Sequence, residues 1–261
     1  LNFHMSLEGT DLDKLALSTE KLLAGTDSEI TTVGYYCNPI QYAEHRKTLE
    51  NVICTAGKFG ATHVSTFAGA WEGKPVESAY EEFGKVFREL ADLAEEKGVK
   101  LGIENCLMDG TWEHATCNIG FNPKAWEVMF EEVKNDNFGL EWEPTHQMVQ
   151  LIDPVTELRK WCKKIVHIHG KDATIDWDAV RHSGISGAVP FVWHRMPGFG
   201  DTNWRDIISI LRSNGYEDDI CIEGYHDPVY SGELEMTGQL HALNYLKWCR
   251  GGDFTPTPWA K

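Results

Sequence analysis

The stretch ESAYEEFGKVFRELADLAEEKGVKLGIEN, residues 77–105, contains one complete helix followed by one buried strand. Apolar residues recur every three or four positions from Phe83 to Ala94, which is the spacing of one face of an α-helix. Gly98 can end this helix in a left-handed conformation, and the apolar run VKLGI after it is typical of a buried strand. A long amphipathic helix that leads directly into a buried strand is the repeating pattern of α/β proteins.

The rest of the chain alternates strands and helices in the same way. Further strands are predicted at EITTVGYYC, ATHVSTFAG, FGLEWE, KIVHIHG and DICIEG, and further helices at AEHRKTLENVICTAGKFG, NWRDIISILRSNG and GQLHALNYLKWC. Two more helices begin at Asn122-Pro123 and Asp153-Pro154, because Asn and Asp cap a helix and Pro suits its first turn. With a short strand at LNFHMS the count reaches seven.

This alternation predicts a parallel sheet, which at this chain length closes into a TIM (β/α)8-type barrel. Such a barrel has eight strands, so the first βα unit is expected to be lacking or irregular. The stretch GAVPFVWHRMPG, residues 187–198, is the candidate for irregular or hairpin structure. Composition shows neither a break nor a repeat before residue 250, which predicts a single domain over 1–250 and an irregular tail over 251–261.

The amino-acid composition limits the binding partners and the cellular location that are expected. Lys and Arg number 24 against 40 Asp and Glu, and the resulting charge of −16 repels nucleic-acid phosphates and anionic membranes. The seven cysteines are scattered without a Cys-x-x-Cys pair, so neither a disulfide framework nor a cysteine-ligated zinc site is indicated. Neither a long apolar run nor a signal pattern occurs, so a cytoplasmic protein is expected.

Acidic and imidazole side chains occur at the ends of four consecutive predicted strands, where a barrel carries its active site. They are Glu104; Glu143, with His146 beyond it; His169, with Lys171 and Asp172 beyond it; and Glu223, with His226 and Asp227 beyond it. Each alone would be explained by a salt-bridged loop anchor or a hydrogen-bonded core histidine. Four together indicate a cation, because buried carboxylates repel one another without one. Three carboxylates and one imidazole suit Mn²⁺, Mg²⁺ or Co²⁺, with zinc as a further option.

The chain resembles the xylose-isomerase-like TIM barrel superfamily, which contains sugar phosphate isomerases and epimerases and is related to endonuclease IV. The resemblance covers roughly residues 30–250 and rests on GVKLGIEN, GLEWEPTH, IVHIHGKDA, PGFGDTNW, NGY and CIEG, in that order. It implies that Glu104, Glu143, His169 and Glu223 bind one divalent metal ion. The superfamily pattern Asp-x-x-His reads Glu-Pro-Thr-His here, and the first βα unit of the superfamily has no match.

The resemblance also implies roles in catalysis and substrate binding. In the epimerases, the residues matching Glu104 and Glu223 form an acid–base pair, in which one removes the proton next to a sugar carbonyl and the other returns a proton to the metal-stabilised enediolate. His146 matches a histidine that contacts substrate. His167, one layer deeper on the same strand face as the expected ligand His169, is expected to pack or to support the site.

Further candidates for substrate binding lie beyond the strand ends. Lys171 and Arg195 are candidates for holding a hydroxyl or a phosphate group. Arg195 and His194 belong to the long loop 174–197, and a long loop at this rim normally shapes the pocket.

The sequence leaves several functions open. The first is a divalent-metal-dependent isomerase or epimerase of a sugar or sugar phosphate. The alternative is a metal-dependent lyase, such as a dehydratase of an oxidised sugar or an enzyme that cleaves an oxo-glycoside, in which the same enediolate expels a leaving group. An endonuclease IV-like phosphodiesterase is disfavoured by the negative charge and by Val192, which stands where that enzyme has an aspartate ligand. A non-catalytic binding barrel would need its open edge covered by another chain, and a homo-oligomer is compatible with the surface composition.

Overall fold

The computed structural model describes residues 1–3, 7, 9–252 and 255–257. The second half of the predicted strand LNFHMS and part of the predicted tail lie outside the described residues. The chain divides into two compact units, of which the first comprises Leu1–His146 and Lys164–Ile168 and the second Gln147–Lys163 and His169–Lys261. The single domain expected over residues 1–250 stays a prediction.

Parallel strands run through the first unit in chain order. They are β1 (Asn2–Phe3), β2 (Thr32–Tyr35), β3 (His63–Thr66), β4 (Lys100–Glu104), β5 (Phe138–Trp142) and β6 (Ile165–Gly170), the last of which continues into the second unit. Glu104 lies opposite Glu141 in the ladder between β4 and β5. Since paired parallel strands point the same way, their carboxyl ends lie at one edge of the sheet.

The helices of the first unit follow the strands. They are α1 (Leu12–Leu23), α2 (Ala43–Thr55), α3 (Tyr80–Lys97), α4 (Pro123–Glu132) and α5 (Pro144–Met148), which begins in this unit. The predicted apolar face of α3 is buried, and the ring of Phe87 lies 4.6 Å from that of Phe83 and 6.0 Å from that of Phe138 on β5. Complete burial of one such ring stabilises the fold by roughly 1.5–3 kcal/mol.

Local signals at the helix ends act as the sequence predicts. Gly98 ends α3 with φ of +69°, and the side chain of Asn122 accepts a hydrogen bond from the Lys124 N–H at the start of α4. Helix α1 is absent from the sequence prediction, although Asp11 caps it by accepting a hydrogen bond from the Lys14 N–H.

The second unit contains an antiparallel strand pair, a further strand and the remaining helices. They are α6 (Pro154–Trp161), β7 (Asp172–Ile175), α7 (Trp177–Ser183), β8 (Val192–Arg195), α8 (Trp204–Ser213), β9 (Ile220–Ile222) and α9 (Glu235–Arg250). Strands β7 and β8 pair antiparallel across a connection that contains α7, so the stretch 187–198 contributes one strand of this pair and does not form a hairpin by itself. After β9, the N–H of Glu223 donates to the carbonyl of Gly170 at the end of β6, at 3.1 Å.

The strand order is β1-β2-β3-β4-β5-β6-β9, which confirms the α/β class and the predicted count of seven strands in the main sheet. Each helix within the described residues is too short or too polar to cross a membrane.

Candidate metal centre

Two glutamates occupy the carboxyl ends of neighbouring strands in the first unit. Glu104 is the last residue of β4 and Glu143 directly follows β5, and both side chains are buried. The parallel register brings these strand ends to the same edge of the sheet. Buried carboxylates at one edge repel one another, so this arrangement favours a cation as their counter-charge.

His146 stands beside Glu143. Pro144 begins α5 immediately after Glu143, and the first turn of this helix returns His146 toward the glutamate. The Nε2 atom of His146 lies 3.3 Å from Oε1 of Glu143, and the His146 side chain is 11% exposed. The structure therefore brings a predicted substrate-binding residue next to a predicted metal ligand within the first unit.

A second pair of candidate ligands lies in the second unit. The Nδ1 atom of His169, near the end of β6, is 3.1 Å from Oε2 of Glu223, which follows β9. The ammonium nitrogen of Lys171 lies 2.9 Å from the other carboxylate oxygen, Oε1. Burial alone would raise the pKa of Glu223, but the hydrogen bond from His169 and the charge of Lys171 outweigh it and hold this pKa well below its usual range. These two neighbours therefore favour the ionised form of Glu223.

The remaining predicted substrate-binding residues lie on β8 in the same unit. The Nε atom of Arg195 lies 3.3 Å from Oδ2 of the buried Asp227, and its guanidinium lies over the ring of Phe199. The ring of His194 meets that of His226 edge-on at 5.6 Å. Arg195 is therefore held in place by a carboxylate and an aromatic face, an arrangement that presents a planar donor group.

A polar cluster lies one layer deeper in the first unit. The carboxylate of Glu141 on β5, which is completely buried, accepts hydrogen bonds from Tyr36 at 2.9 Å and from Ser65 at 2.6 Å. The Nε2 atom of His167 lies 3.8 Å from Glu141, and the Thr32 hydroxyl lies 3.4 Å from both ring nitrogens of His167. These contacts fit the expected packing or supporting role of His167.

Sequence reasoning missed Glu141. The available signal was alternation, because Glu141 on β5 and Glu143 directly after β5 are two positions apart, as His167 and His169 are along β6. Gly102 on β4 pairs with Gly139 on β5, and a Cβ atom at Gly102 would lie 3.2 Å from the Glu141 backbone nitrogen. The small residue therefore leaves room for a large side chain in this layer.

Candidate ligands of a metal ion thus occur in both units, as Glu104 and Glu143 in the first and as His169 and Glu223 in the second. The donor set passes a chemical test for a divalent ion, because carboxylate oxygens and one imidazole nitrogen suit a hard or borderline metal. A separate cavity of about 630 Å³ lies in the second unit beside α8, β9 and α9, and none of the predicted site residues lines it.

The chain is similar to known proteins in sequence and in fold. The sequence profile of the xylose isomerase-like TIM barrel matches residues 3–247. An inosose dehydratase of Clostridium tetani is 26% identical over 182 residues, which are 68% of this chain and 57% of that protein. The chain therefore spans little more than half the length of this relative.

Solved structures show the same fold. A xylose isomerase domain protein from Planctomyces limnophilus superposes with a TM-score of 0.70 at 17% identity, over 91% of this chain and 82% of that one. A 3-keto-D-glucoside 4-epimerase from E. coli superposes with a TM-score of 0.67 at 14% identity, over 91% of this chain and 86% of that one.

Proposed function

Because the chain belongs to the xylose isomerase-like TIM barrel family, we propose that it is a divalent-metal-dependent lyase that removes water from a keto polyol of the inosose type. The observation that carries this proposal is the repeated similarity to inosose dehydratases, joined to a carboxylate and imidazole donor set in which Glu104, Glu143 and His169 are buried. The relatives favour the lyase over the isomerase or epimerase, which the sequence alone ranks first.

We propose that Glu104, Glu143, His169 and Glu223 bind one divalent ion, with Mn²⁺, Mg²⁺ or Co²⁺ preferred and zinc as the further option. Support comes from the donor chemistry and from the place of each residue at or directly after the carboxyl end of its strand, β4, β5, β6 or β9. When bound, such an ion would act as a Lewis acid on the substrate carbonyl.

The residues of the chain have separate tasks in the proposed reaction. The neighbours of Glu223 favour its ionised form, which can accept the proton from the carbon next to the carbonyl. The electron pair of the broken C–H bond forms an enolate, and its collapse breaks the C–O bond at the adjacent carbon. Glu104, the other member of the proposed acid–base pair, supplies the proton with which the hydroxyl leaves as water. The resulting enol tautomerises to a second carbonyl, which balances the reaction.

Substrate binding is proposed for the residues around the acid–base pair. His146, Lys171, His194 and Arg195 can each donate a hydrogen bond to a hydroxyl or an anionic group of the substrate. The cytoplasmic location, the homo-oligomer and the lack of nucleic-acid and membrane partners stay predictions from the sequence.

Incubation of the Mn²⁺-loaded protein with inosose in D₂O tests the proposal, with Glu223→Gln as the inactive control. A dehydratase yields a product lighter by one water, which mass spectrometry detects. Deuterium uptake without loss of water would instead support the isomerase or epimerase, which shares the first proton transfer. A substrate that is recovered unlabelled and intact would contradict both activities.

A further inference from the structure

Three buried asparagines lie beyond the carboxyl ends of the strands in the first unit. Asn38 follows β2, whereas Asn105 and Asn118 follow β4, and each side chain is at most 2% exposed. A buried amide carries both donors and an acceptor, and leaving them without partners would be costly. The hydrogen bonds of these amides therefore show which backbone segments they hold together.

The amide of Asn105 binds the main chain of Glu143 at two points. The N–H of Glu143 donates to Oδ1 of Asn105 at 2.7 Å, and Nδ2 of Asn105 donates to the carbonyl of Glu143 at 2.9 Å. The regular ladder between β4 and β5 ends at Glu104 opposite Glu141, two residues before Glu143. The side chain of Asn105 thus takes the place of a strand partner where the backbone ladder has stopped.

Asn118 binds the main chain on both sides of Asn105. Its Nδ2 donates to the carbonyls of Glu104 at 2.9 Å and Cys106 at 2.8 Å. Its Oδ1 accepts hydrogen bonds from the N–H groups of Ala68 at 2.9 Å and Gly120 at 3.0 Å. The end of β4 is thereby tied to the segment that follows β3.

We propose that Asn105 is a positioning residue for the carboxylate of Glu143, and that Asn118 plays the same part for Glu104. The inference rests on the proposed function, in which both glutamates are metal ligands. A carboxylate can meet a metal at a fixed distance only if its own Cα is fixed, and here the two amides fix the Cα atoms beyond the end of the ladder.

The same strand pair offers a matched control at its opposite end. The amide of Asn137, which directly precedes β5, donates to the carbonyl of Val99, which directly precedes β4, at 3.1 Å. Asn137 therefore also joins β4 to β5 through a side-chain amide, but at the amino ends of the strands. A substitution there perturbs the same sheet at the edge opposite to the glutamates.

The test compares Asn105→Ala with Asn137→Ala in the full chain. The free Mn²⁺ signal in electron paramagnetic resonance measures the affinity for the metal, and the visible spectrum of the Co²⁺ form measures the geometry of the ligands. We expect Asn105→Ala to weaken Mn²⁺ binding roughly tenfold or more and to shift the Co²⁺ bands. Asn137→Ala is expected to lower the thermal stability while leaving both metal readouts as in the wild type.

Asn105→Ser serves as the milder variant, because a hydroxyl can keep one of the two hydrogen bonds to Glu143. It is expected to fold and to fall between the wild type and Asn105→Ala in Mn²⁺ affinity. Wild-type affinity and spectrum in both Asn105 variants would overturn the inference and leave the proposed function standing. Loss of the fold in Asn105→Ser would also overturn it, since the amide would then serve the whole sheet. A wild-type protein that binds no metal would overturn the proposed function, and this inference with it.

Discussion

The ammonium group of Lys171 lies 2.9 Å from a carboxylate oxygen of Glu223 in the second unit, where the Lys171 side chain is buried and that of Glu223 is 28% exposed. A buried carboxylate is stable as an anion only beside a compensating charge. Lys171 supplies such a charge, and His169 approaches the other oxygen of Glu223. Glu223 thus forms an ion pair with Lys171 and is also one of the proposed metal ligands.

Replacement of Lys171 by Met should therefore tighten Mn²⁺ binding and slow the reaction. Without the ammonium group, Glu223 lacks its internal counter-charge and attracts an external cation more strongly, whereas the substrate loses a hydrogen-bond donor. Titration with Mn²⁺ and turnover of inosose measure the two effects, which should have opposite signs. Lys58→Met is the control, because Lys58 pairs with Asp13 at the surface at 2.7 Å. Weaker Mn²⁺ binding in Lys171→Met would contradict this view of the pair.

Glu223→Gln should lose most of its metal affinity. The amide is neutral and removes one anionic donor from the proposed set, so elemental analysis should find about one ion per chain in the wild type and well below one in the variant. Glu217→Gln makes the same charge change at an exposed position shortly before β9 and should bind as the wild type does. Equal metal content in the two variants would exclude Glu223 as a ligand.

Asp227 should contribute stability that disappears in acid. Burial would raise the pKa of this carboxyl, but the N–H groups of Tyr230, Met196 and Val229 and the side chain of Arg195 outweigh it, so the pKa is lower than the ordinary 3.8. A carboxyl whose folded pKa is depressed stabilises the protein above its unfolded pKa and loses that effect as the pH falls through the folded value.

The variant Asp227→Asn should accordingly unfold more easily at about pH 7, by roughly 1–3 kcal/mol, because an amide cannot accept all of these hydrogen bonds. Urea unfolding of both proteins should show this difference shrinking as the pH is lowered below about 4. A difference that stays constant over the acid range would mean that the charge of Asp227 contributes nothing. Asp178→Asn, at an exposed position of α7, should follow the wild type throughout.

The local features of this chain are the ones that its sequence predicts well. Gly98, Asn122 and Asp153 mark helix ends through interactions with residues at most four positions away, and these residues act as predicted. The bonds that build the site join residues far apart in the chain, as between Tyr36 and Glu141, which are 105 positions apart. Spacing along the chain carries no information about such pairs.

The metal-ligand candidates are predicted from the sequence less directly than the helix ends but more directly than the long-range contacts. Glu104, Glu143, His169 and Glu223 could be proposed from sequence because each lies at or directly after the carboxyl end of a recognisable strand, where a barrel carries its active site. The two-point contact of Asn105 with Glu143 could not, since an Asn after a strand is equally compatible with a turn or a helix cap. Helix α1 was missed although Asp11 and its apolar spacing were visible in the sequence.

The cluster around Glu141 provides the last prediction. Ser65→Ala removes the 2.6 Å hydrogen bond to a fully buried carboxylate, and the loss should destabilise the fold by roughly 1–3 kcal/mol in urea unfolding. Because Glu141 is not among the proposed ligands, the variant should keep the metal content of the wild type. Ser78→Ala, which removes an exposed hydrogen bond to the carbonyl of Pro75, should leave both properties unchanged. Loss of metal in Ser65→Ala would mean that the Glu141 layer takes part in ligation, and the proposed ligand set would then have to be revised.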